Sequence, residues 1–512
     1  MQLLYRLRQV ALALAVLLGL SSAHAEDLRF AAGVISSDFS VTCFARDLPF
    51  PYGMALLPDG SLLVGLSIPR EGGGIFQSIG ELRRFADSDG DGVAELPGIS
   101  VATNLPGVLV DVRIARDLIF VVSAEFGNEQ ILCFRQGLTP SAPLLSLGHI
   151  RIDYPWVYHQ TYGLAIRAAP GTPSDLELFF NVGSLENDLH RTNQLALSGL
   201  TGGSVPVETV CAVTIQDRGD HLDVSEPRVI ATGLRNAAGL TFDPITGDLY
   251  AADNGIDIPP NGSLSADELN VIRREDIGTV VPDFGYPDTY VPLDGSGIVG
   301  SRGVAPYVAF LPSAGGVESE GVTQITVAPT QFPTNWNQGL LVAFHGTYDH
   351  FGTNNDETAV VYVDPKTRRY QPLIAGAQAS VGHLDGVLAT DRALYVADFS
   401  GRASIFTQNV HGAIYRITPS QRPVGCGVGG SRPVLSLKGN GNVVTRGAAV
   451  EVEFQWSDDW SSCQLEYREA LSQSTPWLPV TETVTVQAGT RTVHLAPPAG
   501  ERWFRLNCTG CP

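Results

Sequence analysis

Residues 233–255 read GLRNAAGLTFDPITGDLYAADNG. From Thr246 onward the order is a turn, a short apolar strand, then small residues. The same order recurs at DGSLLVGLS (59–67), RDLIFVVSAEFG (116–127), SDLELFFNVGS (174–184), NQGLLVAFHG (337–346) and DRALYVADFSG (391–401). Anchored on Leu63, Phe120, Phe180, Tyr250, Val342 and Tyr395, the copies stand 57, 60, 70, 92 and 53 residues apart. Strands repeating at so long a period mean an array of sheet blades. Six copies predict an all-β chain with a six-bladed β-propeller of about four strands per blade. A β-sandwich also uses many short strands, but it rarely repeats this regularly. No stretch sustains a 3.6-residue apolar period. The wide spacings predict inserted loops near 259–265 and 283–319.

The ends of the chain read differently. Arg6 and Arg8 precede an apolar run at 11–20, and Ala23-His24-Ala25 makes a small-residue cleavage box. Residues 1–25 therefore read as a signal peptide, and the mature protein is expected to be secreted or periplasmic. No later run is long enough to cross a bilayer, so no membrane insertion is expected. A net charge of −20 argues against a nucleic-acid partner. The propeller is expected over 26–419. Residues 420–433, SQRPVGCGVGGSRP, read as a linker. Residues 434–512 carry short alternating strands, with Trp456 seven residues before Cys463. They predict a small β-sandwich that resembles immunoglobulin-like modules. Cysteines stand at 43, 133, 211, 426, 463, 508 and 511. An oxidising compartment permits disulfides, and Cys463–Cys508 is the expected bridge; the other pairings stay open.

Two sets of residues point to chemistry. Asp87, Asp89 and Asp91, followed by Gly92 and Glu95, resemble the front of a calcium loop, with Glu95 replacing the usual distal Glu. A plain hairpin turn rich in Asp and Gly is the alternative. The second set follows from the repeat. The loops leading into a propeller's innermost strands gather at one face of the central channel. Residues 159–163 (with His159), 233–236 (with Arg235 and Asn236) and 382–385 (with His383) are such loops, so these side chains are expected to meet near the axis.

The same residues carry a resemblance. The run 233–255 with ADELNVI (266–272), YHQTYGLAI with LFFNVGS, PDFGYPD (282–288), FHGTYDHFG (344–352) and LRRFADSDGDGVAE are similar to landmarks of the soluble PQQ-dependent glucose/sorbosone dehydrogenases. Pyranose dehydrogenase propellers are related to that family. The resemblance covers about 40–418. It implies that His159 is the general base and that Arg235 and Asn236 contact the quinone. It implies that the carbonyls of Gly255 and Ile256 hold an active-site Ca²⁺, with Asp267 beside it. PQQ and Ca²⁺ would be the cofactors, a small sugar or alcohol the substrate, and the electron acceptor unknown.

The chain departs from that pattern where cations should meet the cofactor's carboxylates. That segment reads Val381-Gly382-His383-Leu384, which leaves His383 as the cofactor contact. His345 stands near a family Lys, and Ser184 where glucose dehydrogenases have Asp. The chemistry agrees with the assignments. Alcohol oxidation needs a base for the hydroxyl proton, and a neutral imidazole suits pH 7. A cation and a hard metal ion stabilise the developing charge, and carbonyls suit calcium. The expected function is a sugar or alcohol oxidoreductase. The alternatives are a non-catalytic module binding glycan or protein, and a calcium-dependent lactonase.

Overall fold

A computed structural model describes residues 28–420 except 72–73, 126–127, 157–158, 258–263, 313–319, 347–357, 377, 379–380, 402–407 and 409. Beyond 420 it describes 436–437, 444–446, 449–457, 463–468, 478–487, 490–495 and 503–508. The expected signal peptide (1–25) and most of the linker (420–433) lie outside the described residues.

The chain is 52% strand and 2% helical, and residues 39–419 form a six-bladed propeller. Each repeat copy supplies the second strand of one blade: Leu62–Pro69, Leu118–Ala124, Thr172–Val182, Leu249–Asp253, Leu340–Phe344 and Leu394–Asp398. The innermost strands are Pro51–Leu56, Val108–Ala115, Leu164–Ala169, Gly239–Phe242, Val322–Val327 and Gly386–Ala389. Each packs against the next around the ring, and the last packs against the first. Closure comes from the chain's start: Phe39–Leu48 is the edge strand of the sixth blade, beside Gly412–Pro419. Both ends of the propeller are thereby tied into one ladder.

The second strands are buried on both faces because each blade lies between two others. Tyr250 and Ala252 pack with Val322, Ile325 and Val342 of the fifth blade. Leu249 and Ala251, pointing the other way, pack with Phe179, Val210 and Ala212 of the third. Period-2 side-chain direction sends alternate residues to opposite neighbours. Near the axis the innermost strands come very close. A Cβ on Gly53 would stand 2.8 Å from the Asp111 backbone, and one on Gly386 would stand 2.5 Å from the Tyr52 carbonyl oxygen. Only glycine leaves room there.

Two insertions interrupt the plan. Of the two expected, near 259–265 and 283–319, most of the first lies outside the described residues; the second corresponds to an irregular stretch from 273 to 307, between the third and fourth strands of the fourth blade, and residues 308–310 of its expected span form that fourth strand. The other insertion was not legible. Gln194–Gly199 and Ser204–Pro206, from the third blade's own turn, extend the second blade's sheet through Leu197 opposite Ile152.

The C-terminal residues fall into a separate compact unit. It holds a five-stranded sheet and a three-stranded sheet. In the smaller one, Cys463 stands directly opposite Cys508 in the register of Cys463–Arg468 with Trp503–Cys508. The side chains of both cysteines lie outside the described residues, as do Cys426 and Cys511. Cys43, Cys133 and Cys211 are free thiols. Burial pushes the thiols of Cys133 and Cys211 up to about 12, so they are unreactive at neutral pH.

Candidate functional site

Successive strands of a blade run in opposite directions, so two kinds of loop share one face of the propeller. These are the loops entering the innermost strands and the turns between second and third strands. His159, Arg235, Asn236 and His383 lie on entry loops; Ser184, Gly255, Ile256 and His345 lie on the turns. Asp87, Asp89, Asp91 and Glu95 join a third strand to a fourth, at the opposite face.

The Arg-Asn pair stands before its strand because its backbone is gripped. Asp253, ending the second strand of the same blade, accepts the N–H of Arg235 at 3.0 Å and of Asn236 at 2.6 Å. The device repeats. Asn181 accepts the N–H groups of Tyr162 and Gly163 at 2.7 and 2.9 Å. Asp398 accepts that of Gly382 at 3.1 Å. Burial pushes Asp253 and Asp398 up to about 7, against the N–H bonds that favour their charged forms. Aligning LYAAD (249–253) with LYVAD (394–398) exposes the Asp position in the sequence, whereas Asn181 stands two places nearer its anchor and is not marked by the repeat.

The four residues 184–187 organise the rest. The Ser184 carbonyl accepts the His159 backbone N–H at 3.2 Å. The Leu185 carbonyl accepts the Trp156 indole N–H at 2.9 Å. The Glu186 carbonyl accepts the hydroxyls of Ser184 at 2.7 Å and Tyr286 at 3.0 Å. The Asn187 carbonyl accepts Nε of Arg235 at 2.9 Å. Four consecutive carbonyls thus hold the backbone of His159 and four side chains, those of Trp156, Ser184, Tyr286 and Arg235. Nothing in the local pattern GSLEND announces this.

His159 is 9% exposed, with Nδ1 2.8 Å from the Ser184 hydroxyl. That hydroxyl donates to Glu186, so it accepts from Nδ1–H, which leaves the lone pair on Nε2. Burial first, and then the charge of Arg235, hold the imidazole well below its ordinary pKa. His159 is therefore a neutral, oriented base at pH 7.

Arg235 is 1% exposed. One terminal nitrogen donates to Asn187 Oδ1 at 2.6 Å and to Asp257 Oδ2 at 3.0 Å. The Asn236 side chain donates to Asn254 Oδ1 at 2.7 Å and accepts from Asn181 at 3.2 Å. Asp267 lies beside Gly255, and its oxygens accept the N–H groups of Gly255 at 2.8 Å and Gly321 at 2.9 Å. Burial pushes it to about 7, and its neighbour Glu268 to about 8. The N–H of Ile256 donates to Ser265 Oγ at 2.7 Å.

Across the face, the ring of His383 stacks on that of His345, centroids 3.9 Å apart and planes 3° apart. His383 donates through Nδ1 to the His345 carbonyl and is fully buried. His345 Nδ1 lies 2.9 Å from Asp385 Oδ2. Burial opposes charge on His345, but the Asp385 carboxylate outweighs it and the pKa is raised.

The backbone carbonyls of 255 and 256 and the carboxylate of Asp257 are oxygen donors of the kind a hard ion such as calcium takes, although the Ile256 carbonyl accepts the Ser265 N–H at 3.3 Å and Asp257 Oδ2 faces Arg235 at 3.0 Å. The described residues do not fit PQQ as well. PQQ bears three carboxylates and needs cations to meet them. Here Arg235 faces Asp257 at 3.0 Å, Arg191 faces Glu186 at 2.6 Å, Arg113 faces Asp111 at 3.2 Å and His345 faces Asp385. The chain has two lysines; Lys366 lies in the turn before Arg369–Ala375, at the opposite face, and Lys438 lies outside the described residues. Arg235, Arg191, Arg113 and His345 are thus each matched by a carboxylate, and Lys366 donates to the Gln338 amide at 3.1 Å. At that opposite face, ligand oxygens of Asp87, Asp89 and Asp91 lie within 4.8 Å of one another. The expected fourth member, Glu95, instead accepts the Ser88 N–H at 2.7 Å.

No family model matches the chain. An uncharacterised protein of Borreliella burgdorferi is 26% identical over 216 residues, which is 38% of this chain and 50% of that protein's length. Among solved structures, the holo PQQ domain of pyranose dehydrogenase from Coprinopsis cinerea matches with 16% identity and a TM-score of 0.49, over 77% of this chain and 97% of that one. A calcium structure of a family AA12 carbohydrate-active enzyme from Trichoderma reesei has 13% identity and a TM-score of 0.49, over 77% and 98%. The PQQ-bound aldose sugar dehydrogenase of Streptomyces coelicolor has 16% identity and a TM-score of 0.43, over 74% and 99%. Among the described residues, no helix is long and apolar enough to cross a membrane.

Proposed function

We propose that the loop-bearing face of this propeller oxidises sugars or related alcohols and aldehydes, with His159 taking the hydroxyl proton. One observation carries the reading: His159 is held neutral, with Nδ1 committed to Ser184 and Nε2 left basic. A base so placed is worth about 10²–10⁴ in rate. Burial, and after it the charge of Arg235, keep the base neutral, and Arg235 also braces the turn that orients it. Calcium, if held by the carbonyls of Gly255 and Ile256 near Asp257, would stabilise developing negative charge. PQQ is the cofactor that the sequence resemblance implies. Its acid end is unmatched by the described residues, so no step is routed through it. The proposal includes export to the periplasm or beyond, on the strength of residues 1–25.

The charge matching on this face favours a second reading, a non-catalytic module that binds glycan or protein. The two readings part in one experiment. Purified protein is titrated with PQQ and Ca²⁺, then assayed for dye reduction with aldoses and polyols. The oxidoreductase reading expects saturable binding and turnover, with turnover falling about 10²–10⁴-fold in His159→Ala. Failure to bind PQQ at micromolar levels, with no turnover, rejects it and leaves the module. A lactonase would need carboxylates converging on an ion at this face; among the described residues, the converging set is at 87–91.

A further inference from the structure

Of the donors held by residues 184–187, one is open to solvent. Trp156 is 48% exposed, whereas His159 is 9% and Arg235 1% exposed. An indole so exposed on a loop would normally rotate freely. Here its N–H is fixed 2.9 Å from the Leu185 carbonyl. The preceding carbonyl, of Ser184, holds the backbone of His159. Base and indole are therefore positioned by adjacent peptide groups of one turn, and that turn is braced from the fourth blade by Tyr286 and Arg235.

A flat, rigid aromatic surface beside a general base is suited to a ring that offers C–H bonds on one side and hydroxyls at its rim. The C–H side removes the indole from water, and fixing the indole in advance lowers the ordering cost of binding. The carboxylates of Glu186 and Asp257 are bonded to Arg191 and Arg235, but a carboxylate accepts more than one hydrogen bond and so can also take a rim hydroxyl. Charge narrows the ligand further. Among the described residues of this face, Arg191, Arg235 and His345 are each matched by a carboxylate, and the chain carries a net charge of −20. An anionic ring would be repelled by that net charge, and to meet Arg191, Arg235 or His345 its carboxylate would have to break an existing pair.

We propose that Trp156 is the stacking platform of a subsite for a neutral pyranose ring, set beside His159. This rests on the reading of the face as a site for sugar oxidation and names the residue that holds the sugar. The test uses the full chain and three probes: glucose, cellobiose and glucuronate. Calorimetric titration should show both neutral sugars binding more tightly than glucuronate. Trp156→Ala should weaken neutral-sugar binding about three- to tenfold, and Trp156→Phe should restore most of it. Equal affinity in Trp156→Ala, preference for glucuronate, or no binding of neutral sugars by the wild type would each overturn the proposal. His159→Ala should keep the Trp156-dependent binding. Binding without turnover would sink the oxidoreductase reading and leave the subsite standing. Turnover that needs His159, with KM unchanged in Trp156→Ala, would sink the subsite alone.

Discussion

Replacing Arg235 tests whether the opening motif is a structural brace as well as a functional one. Arg235→Ala deletes donors to the Asn187 carbonyl at 2.9 Å, to Asn187 Oδ1 at 2.6 Å and to Asp257 Oδ2 at 3.0 Å. Hydrogen bonds from a charged donor are worth about 1.5–3 kcal/mol each, and a buried stem adds packing. Asp257 is 27% exposed, so water takes over part of its loss. A net cost of about 2–4 kcal/mol is expected. Unfolding entropy of about 2.1 cal/mol/K per residue over roughly 380 propeller residues gives about 0.8 kcal/mol/K, hence a fall of about 3–5 °C in Tm. Arg235→Lys keeps a charge near Asp257 but loses the fork, so its fall should be about half as large. Calorimetry on the wild type and both variants measures this. The His159 resonance, followed by NMR, should titrate at higher pH in Arg235→Ala, because the nearby cation is gone. An unchanged Tm in Arg235→Ala would refute the brace, since a loop arginine lining an open channel would cost almost nothing.

Gly183→Ala should displace the base. A Cβ there would stand 2.7 Å from the His159 Cβ and 2.9 Å from its backbone, so turnover should fall more than tenfold, checked by steady-state kinetics beside a melting curve. Stability should rise as pH falls from about 8 to 6.5. Asp253, Asp267 and Asp398 are raised to about 7 and Glu268 to about 8, so the folded state holds protons that the unfolded chain has already released, and unfolding becomes easier as pH rises through that range. His345, also raised, acts in the same direction; His159, depressed, opposes it only below about 6.5. Denaturant midpoints at pH 6.5 and 8 decide the matter, and a higher midpoint at pH 8 would contradict it. Peptide mapping without reductant should find Cys463 linked to Cys508, as their cross-strand register allows; a free thiol at either position would refute the bridge.

The propeller was legible because each second strand is pressed between two blades and must be apolar on both faces, which leaves a repeating mark in the chain. The convergence of the loops carrying His159, Arg235 and His383 followed from that repeat alone, since strand direction dictates which loops share a face. The grip of Asp253 and Asp398 on entry loops was written at a fixed place in the copies, although it emerges only when they are aligned. What the linear pattern could not hold was the pairing of groups far apart in the chain. Ser184 orients His159 across 25 residues, and Asn187 and Asp257 meet Arg235 across 48 and 22. The hairpin at 194–206 lies on a neighbouring blade although its own strands suggest no such partner. Such pairings depend on how one blade's turn reaches the next, a matter of inter-blade geometry. For the same reason the charge of the site belonged to the folded molecule. Residue counts show an acidic chain, but only the packed loops matched Arg235 with Asp257 and His345 with Asp385.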